Sequence, residues 1–209
     1  MIRFEYDAFD DDILVIGKGG RGKTHLMRNL IIPALRKEPF WLWDPQWQYS
    51  NVPAHVTHRL EDMPYARAIF QPIDKSDDVF DSFCKKAESW DNLVVAVEEA
   101  HLYSGKYKIR SRYFEKIVKS GRPHGVTWIA VGRRPQMIHN DILSDADHVF
   151  CFEMELSSDF EYMSKWIGEK VWLLAEPERR RALTDKPRAA EHSCVYYNAK
   201  TGQSEVFKL

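Results

Sequence analysis

The stretch Gly17-Lys18-Gly19-Gly20-Arg21-Gly22-Lys23-Thr24 limits what this chain can fold into more than any other. It matches GxxxxGK[ST] in full and stands between an apolar run, Ile13 to Ile16, and a helical pattern that begins at Lys23. A strand, a glycine loop and a helix in that order form the context in which this pattern binds phosphate. Backbone N–H groups must converge on one anion, which requires glycine where a Cβ would collide, and the helix N-terminus adds a favourable field. Gly17, Lys18, Gly19, Gly20, Arg21, Gly22, Lys23 and Thr24 are therefore the expected nucleotide-binding residues. Lys23 is expected to reach the β- and γ-phosphates of ATP, and Thr24 to ligate Mg²⁺.

The remaining chain alternates short apolar runs with longer amphipathic ones, which predicts an α/β fold with a mostly parallel sheet flanked by helices. Further strands are expected at Phe40 to Trp43, Ala66 to Gln71, Leu93 to Val97, Val126 to Val131 and His148 to Phe152. Helices are expected from Lys23 to about Lys37, kinked or interrupted by Pro33, from Ser76 to Trp90, and from Arg110 to Ser120. The tail reads as helices at Ser158 to Gly168 and Val171 to Arg181, then a β-hairpin from Ser193 to Leu209 around Lys200-Thr201-Gly202. With 209 residues and no linker, one domain is expected, its core spanning about 12–165 and its C-terminal helices and hairpin 166–209.

Val94-Val95-Ala96-Val97-Glu98-Glu99-Ala100-His101 is a buried strand ending in two acids, which brings both to the sheet edge where the glycine loop also lies. Glu98 is expected to hold Mg²⁺, and Glu99 to orient or deprotonate an attacking water. His101 reads as a packing or helix-start residue before a catalytic one. The 30 Lys and Arg against 31 Asp and Glu exclude a protein that coats nucleic acid over its whole surface. Basic residues cluster instead at Lys106, Lys108, Arg110, Arg112, Lys116, Lys119 and Arg122, with Glu115 the one acid among them, and again at Arg179 to Arg181. Such a stretch suits sequence-independent phosphate contacts. Trp41, Trp43, Trp47, Trp128, Trp166 and Trp172 read as core or subunit contacts. Three cysteines without a CxxC pair suggest neither a disulfide framework nor a zinc site. No apolar run is long enough to cross a bilayer, and the acidic start is unlike a signal peptide.

Taken in order, the GxxxxGKT loop, Trp43-Asp44-Pro45-Gln46-Trp47-Gln48-Tyr49, VEEAH, Ser120-Gly121-Arg122-Pro123-His124-Gly125-Val126 and Val131-Gly132-Arg133-Arg134-Pro135-Gln136 resemble the FtsK/HerA superfamily of DNA-pumping ATPases. The small size makes the chain look most like the genome-packaging ATPases of membrane-containing double-stranded DNA viruses. The resemblance implies a RecA-like P-loop NTPase fold and a hexameric ring with ATP between subunits. It also implies a double-stranded DNA partner, a capsid or membrane-vertex protein as a second partner, and work in the host cytoplasm with retention at a virion vertex. A neighbouring subunit would supply an arginine finger, with Arg122 the first candidate and Arg112 the second, while Arg133 would sense the γ-phosphate within its own subunit. Three positions depart from the family pattern: Glu98 stands for the usual Asp, Arg133 for Gln, and Gln48 for an acid. Lys18 also allows a dimerising switch of the ParA/MinD type, and the ATPase core allows a cellular or plasmid HerA-like DNA-transfer ATPase.

Overall fold

Alternating side chains of short β-branched and aromatic strands divide the interior into two cores, one on each face of a single sheet. In the computed structural model, which describes residues 4–190 and 192–209, β1 (Ile13–Ile16) turns Ile13 and Val15 to one face and Leu14 and Ile16 to the other. The chain then runs through α1 (Lys23–Leu26), a π-helical segment Met27–Ile31 and α2 (Ile32–Ala34), followed by β2 (Phe40–Trp43), β3 (His55–Thr57) and β4 (Ala68–Phe70). Next come α3 (Asp77–Glu88), β5 (Leu93–Val97), α4 (His101–Ser104), α5 (Arg112–Ser120) and β6 (Val126–Gly132). The last part holds α6 (Asn140–Asp145), β7 (His148–Cys151), α7 (Ser157–Ile167), α8 (Pro177–Arg181), β8 (Ser193–Asn198) and β9 (Gln203–Lys208).

The nine strands lie in the order β3-β4-β2-β5-β6-β1-β7-β8-β9. All pairs from β3 to β7 are parallel, and β8 and β9 extend the sheet as an antiparallel hairpin, as expected. Strand β6 is inserted between β1 and β5, so the loops after these three strands open side by side at one carboxyl edge. Leu26, Met27, Ile31 and Ile32 cover one face; Phe80, Phe83, Phe114, Ile117, Ile142 and Phe160 cover the other. Ser76 and Ser111 cap α3 and α5 by accepting from Val79 N and Phe114 N.

Three expectations change. Pro33 has no N–H to give the carbonyl four residues back, and the helix answers by widening into the π segment and ending at Ala34 rather than near Lys37. Strand β3 escapes notice because two of its three residues are exposed on the sheet edge, so no apolar run marks it. The helix expected over Val171 to Arg181 is a 3₁₀ segment, Glu169–Leu174, and then α8, because Pro177 forces Glu176 into an extended conformation. Trp47 and Trp166 are half-exposed, unlike the fully buried Trp41, Trp43 and Trp128.

Candidate nucleotide site

The loop from Gly17 to Gly22 takes the shape that only its glycines permit. Gly17 and Gly22 have φ of 146° and 106°, and a Cβ on Gly17 would stand 2.6 Å from the Cβ of Phe152 at the end of β7. Lys23 Nζ donates to the carbonyls of Gly17 at 2.6 Å and Lys18 at 2.9 Å, so its ammonium lies across the mouth of the loop. Burial lowers its pKa, Glu98 and Glu99 oppose that shift, and Arg133 adds to it. Arg21 turns away and pairs with buried Glu153 at 3.2 Å, which also receives Arg188 at 2.9 Å. Lys18 lies 3.9 Å from Glu153 and 3.7 Å from Glu176, within its own chain.

The two acids after β5 have different surroundings. Glu98 is buried and accepts a short hydrogen bond from the hydroxyl of Tyr49. Burial pushes its pKa up to about 7, against the pull of Tyr49 and Lys23. Glu99 sits at φ 53°, a left-handed conformation uncommon outside glycine, and faces the loop's neighbour strand. Arg133, at the end of β6, grips it with two bonds of 2.7 and 3.2 Å. His101 Nδ1 lies 3.5 Å from Glu99 and has no hydrogen-bond partner among the described residues. Insertion of β6 between β1 and β5 is the reason Arg133 meets Glu99, since its loop opens between the other two.

Residues of the β2 loop complete the arrangement and carry roles the sequence did not assign. Asp44 accepts from the backbone N–H of Gln48 and Tyr49, each at 3.0 Å, and from Gln71 Nε2 at 2.9 Å. These bonds fix the turn that hands Tyr49 to Glu98 and brings Gln48 Oε1 within 2.9 Å of Thr24 Oγ1. The spacing of Asp44, Gln48 and Tyr49 was the available signal, but only contact with Thr24 and Glu98 gives it meaning. Glu153 carried a weaker one, as an acid just past an apolar strand. Thr24 and Glu98 offer a hydroxyl and a carboxylate, hard oxygen donors of the kind Mg²⁺ takes when phosphates and water supply its other ligands. A carboxylate held back from ionising by burial also fits a site that receives a cation. No cluster of three or more His, Cys, Asp or Glu suited to a metal occurs among the described residues.

Arg122 is not brought to this edge. It pairs at 2.7 Å with both Asp12 and Asp147, which precede β1 and β7 at the opposite, amino edge of the sheet. Arg134 pairs with fully buried Asp159 at 3.2 Å and holds α7. The basic stretch is divided likewise: Arg110, Lys116 and Lys119 face Asp77, Glu88 and Glu115 with Asp141. Lys106, Lys108 and Arg112 have no carboxylate partner among the described residues. Two of them flank Tyr107, which is 86% exposed on the loop between α4 and α5, one short helix beyond the acids that follow β5. No helix among the described residues is long and apolar enough to cross a membrane.

No family model and no curated protein matches the sequence. Among solved structures, the chain is similar to the genome-packaging NTPase B204 from Sulfolobus turreted icosahedral virus 2, solved with ATP-gammaS, at TM-score 0.76 and 16% identity over 96% of this chain and 98% of that one. It is also similar to the ATPases 2 and 3 of EssC from Geobacillus thermodenitrificans, at TM-score 0.59 and 13% identity over 91% of this chain and 38% of that one. The conjugation coupling protein TcpA of pCW3, solved with ATPgS, gives TM-score 0.59 and 11% identity over 97% and 61%. At such identities the likeness lies in the fold, and the fold is that of the P-loop ATPases which the order of motifs resembles.

Proposed function

We propose that this protein is an ATP-driven double-stranded DNA translocase that packages a viral genome into a preformed capsid. The observation that carries the reading is the meeting of Lys23, Thr24, Glu98 and Glu99 at one sheet edge, in a fold shared end to end with a genome-packaging NTPase. The β- and γ-phosphates of ATP would accept from Lys23 in place of its two loop carbonyls, and Thr24 and Glu98 would hold Mg²⁺. When bound, Mg²⁺ neutralises charge on the phosphates. Glu99 orients the attacking water and takes its proton, and Arg133 moves between Glu99 and the γ-phosphate, reporting its presence.

The active form is a homo-oligomer, a hexameric ring, with the arginine finger supplied by a neighbour. Arg122 would have to leave two carboxylates to act there, so exposed Arg112 is the better-placed candidate. Double-stranded DNA is held by the Lys106-Tyr107-Lys108 loop without reading its sequence, and a capsid or vertex protein anchors the ring in the host cytoplasm during assembly. Within this reading, residues 1–209 act as one ATPase domain. Lys18 spends its charge on Glu153 and Glu176 of its own chain, which disfavours a ParA/MinD-type dimer. Two-way coverage of B204, against 61% of TcpA, favours packaging over plasmid transfer.

The test is ATP turnover with and without linear duplex DNA. The wild-type protein hydrolyses ATP faster with DNA, Lys23→Ala loses hydrolysis, and Glu99→Gln binds ATP but turns over about 100-fold or more slowly, the usual worth of a general base. Normal turnover in either variant means the site lies elsewhere.

A further inference from the structure

The proposed site has a second half, built from the C-terminal hairpin, that nothing in the core sequence announces. A cavity of about 500 Å³ opens beside the phosphate loop, with Gly20, Gly22, Thr24 and His25 on one side and His192 and Leu209 on the other. Its size lies within the usual range for small-molecule sites, and Thr24 belongs to both the cavity and the phosphate end. Leu209 packs directly on the loop, since a Cβ on Gly22 would stand 2.8 Å from its Cδ1. His192 is exposed and holds φ 58°, a conformation that costs energy in any residue but glycine. Leu209 N donates to His192 O at 3.3 Å, and the β8–β9 register of Ser193 with Lys208 brings the two residues together.

We infer that His192 and Leu209 bind the nucleoside half of ATP, so that the terminal hairpin closes the nucleotide site; the inference rests on the phosphate-loop reading above. Phosphates seated at Lys23 and Thr24 leave the ribose and base to extend into this cavity. The side chains that line it there are imidazole and aliphatic. Such walls take a flat, weakly polar heteroaromatic ring by stacking and apolar contact. A nucleotide therefore ties the last strand of the sheet to the loop after the first.

Calorimetric titration with AMPPCP and with inorganic tripolyphosphate, which has no base, separates the two halves. The variants are Leu209→Ala, His192→Asn, chosen because Asn tolerates the left-handed backbone, and the pair combined. Each single variant weakens AMPPCP binding about five- to tenfold and the pair more, as loss of a stacking or apolar contact predicts. Tripolyphosphate binding stays within about twofold of wild type. Unchanged AMPPCP affinity in the double variant overturns the inference, and so does equal weakening of both ligands, which would make the tail a mere prop for the loop. A wild-type protein that binds neither ligand overturns the phosphate-loop reading itself, and this inference with it.

Discussion

Glu98 and Glu99 are adjacent in sequence and opposite in circumstance. Glu98 is buried against Tyr49, with its pKa pushed from the ordinary 4.5 to about 7. Between those two values the folded protein keeps a proton that the unfolded chain has lost, so stability falls as pH rises through this window and levels off above it. In magnesium-free buffer, Glu98→Gln therefore raises Tm at pH 8 and brings little gain at pH 5, measured by scanning calorimetry. An equal gain at both values would mean that Glu98 ionises normally in the fold. The strand that carries both acids was legible from VVAV, and so was their exit at the phosphate-loop edge. Their different partners were not, because Tyr49 and Arg133 come from the loop after β2 and the end of β6, and only strand order brings them near.

At the level of elements, the segment Ser120-Gly121-Arg122-Pro123-His124-Gly125 gives the sharpest contrast between motif and geometry. A Cβ on Gly121 would run into the carbonyl of Val126 and come within 2.6 Å of that of Ile117, and Gly125 needs φ 67° beside Asn92. These glycines make the tight turn from α5 into β6, and Arg122 locks it to Asp12 and Asp147. Gly121→Ala should lower stability by about 1–3 kcal/mol, the usual cost of overpacking, seen as a lower denaturation midpoint in urea. Wild-type stability would show that the turn yields without strain. Strong apolar runs and Ser caps made most strands and helices readable. Pro33 interrupts its helix as its chemistry requires, while Pro177 and the exposed strand β3 depart from the periodic pattern because a local backbone constraint, or a sheet edge, outweighs it.

For the whole molecule, near-zero net charge conceals an uneven distribution of positive groups. Seven basic residues between Lys106 and Arg122 read as one patch in sequence, yet the fold gives four of them to nearby acids. The exposed residues left without a carboxylate partner among the described residues are Lys106 and Lys108, on either side of Tyr107, and Arg112; the loop is joined through α4 to the acids after β5, so the proposed DNA contact would lie one helix away from the proposed ATP site. Replacing Lys106 and Lys108 with Ala should weaken duplex binding alike for all sequences and reduce the slope of log affinity against log salt by about 2. An unchanged slope would put the proposed DNA contact elsewhere on the protein. Translocation itself is tested most directly by displacement of a triplex-forming strand from linear duplex DNA, comparing wild type with Glu99→Gln. The wild-type protein is predicted to strip the third strand in ATP but not in AMPPCP, and Glu99→Gln to leave it bound in both. ATP hydrolysis with no displacement, or displacement by Glu99→Gln at the wild-type rate, would contradict a DNA motor driven from this site.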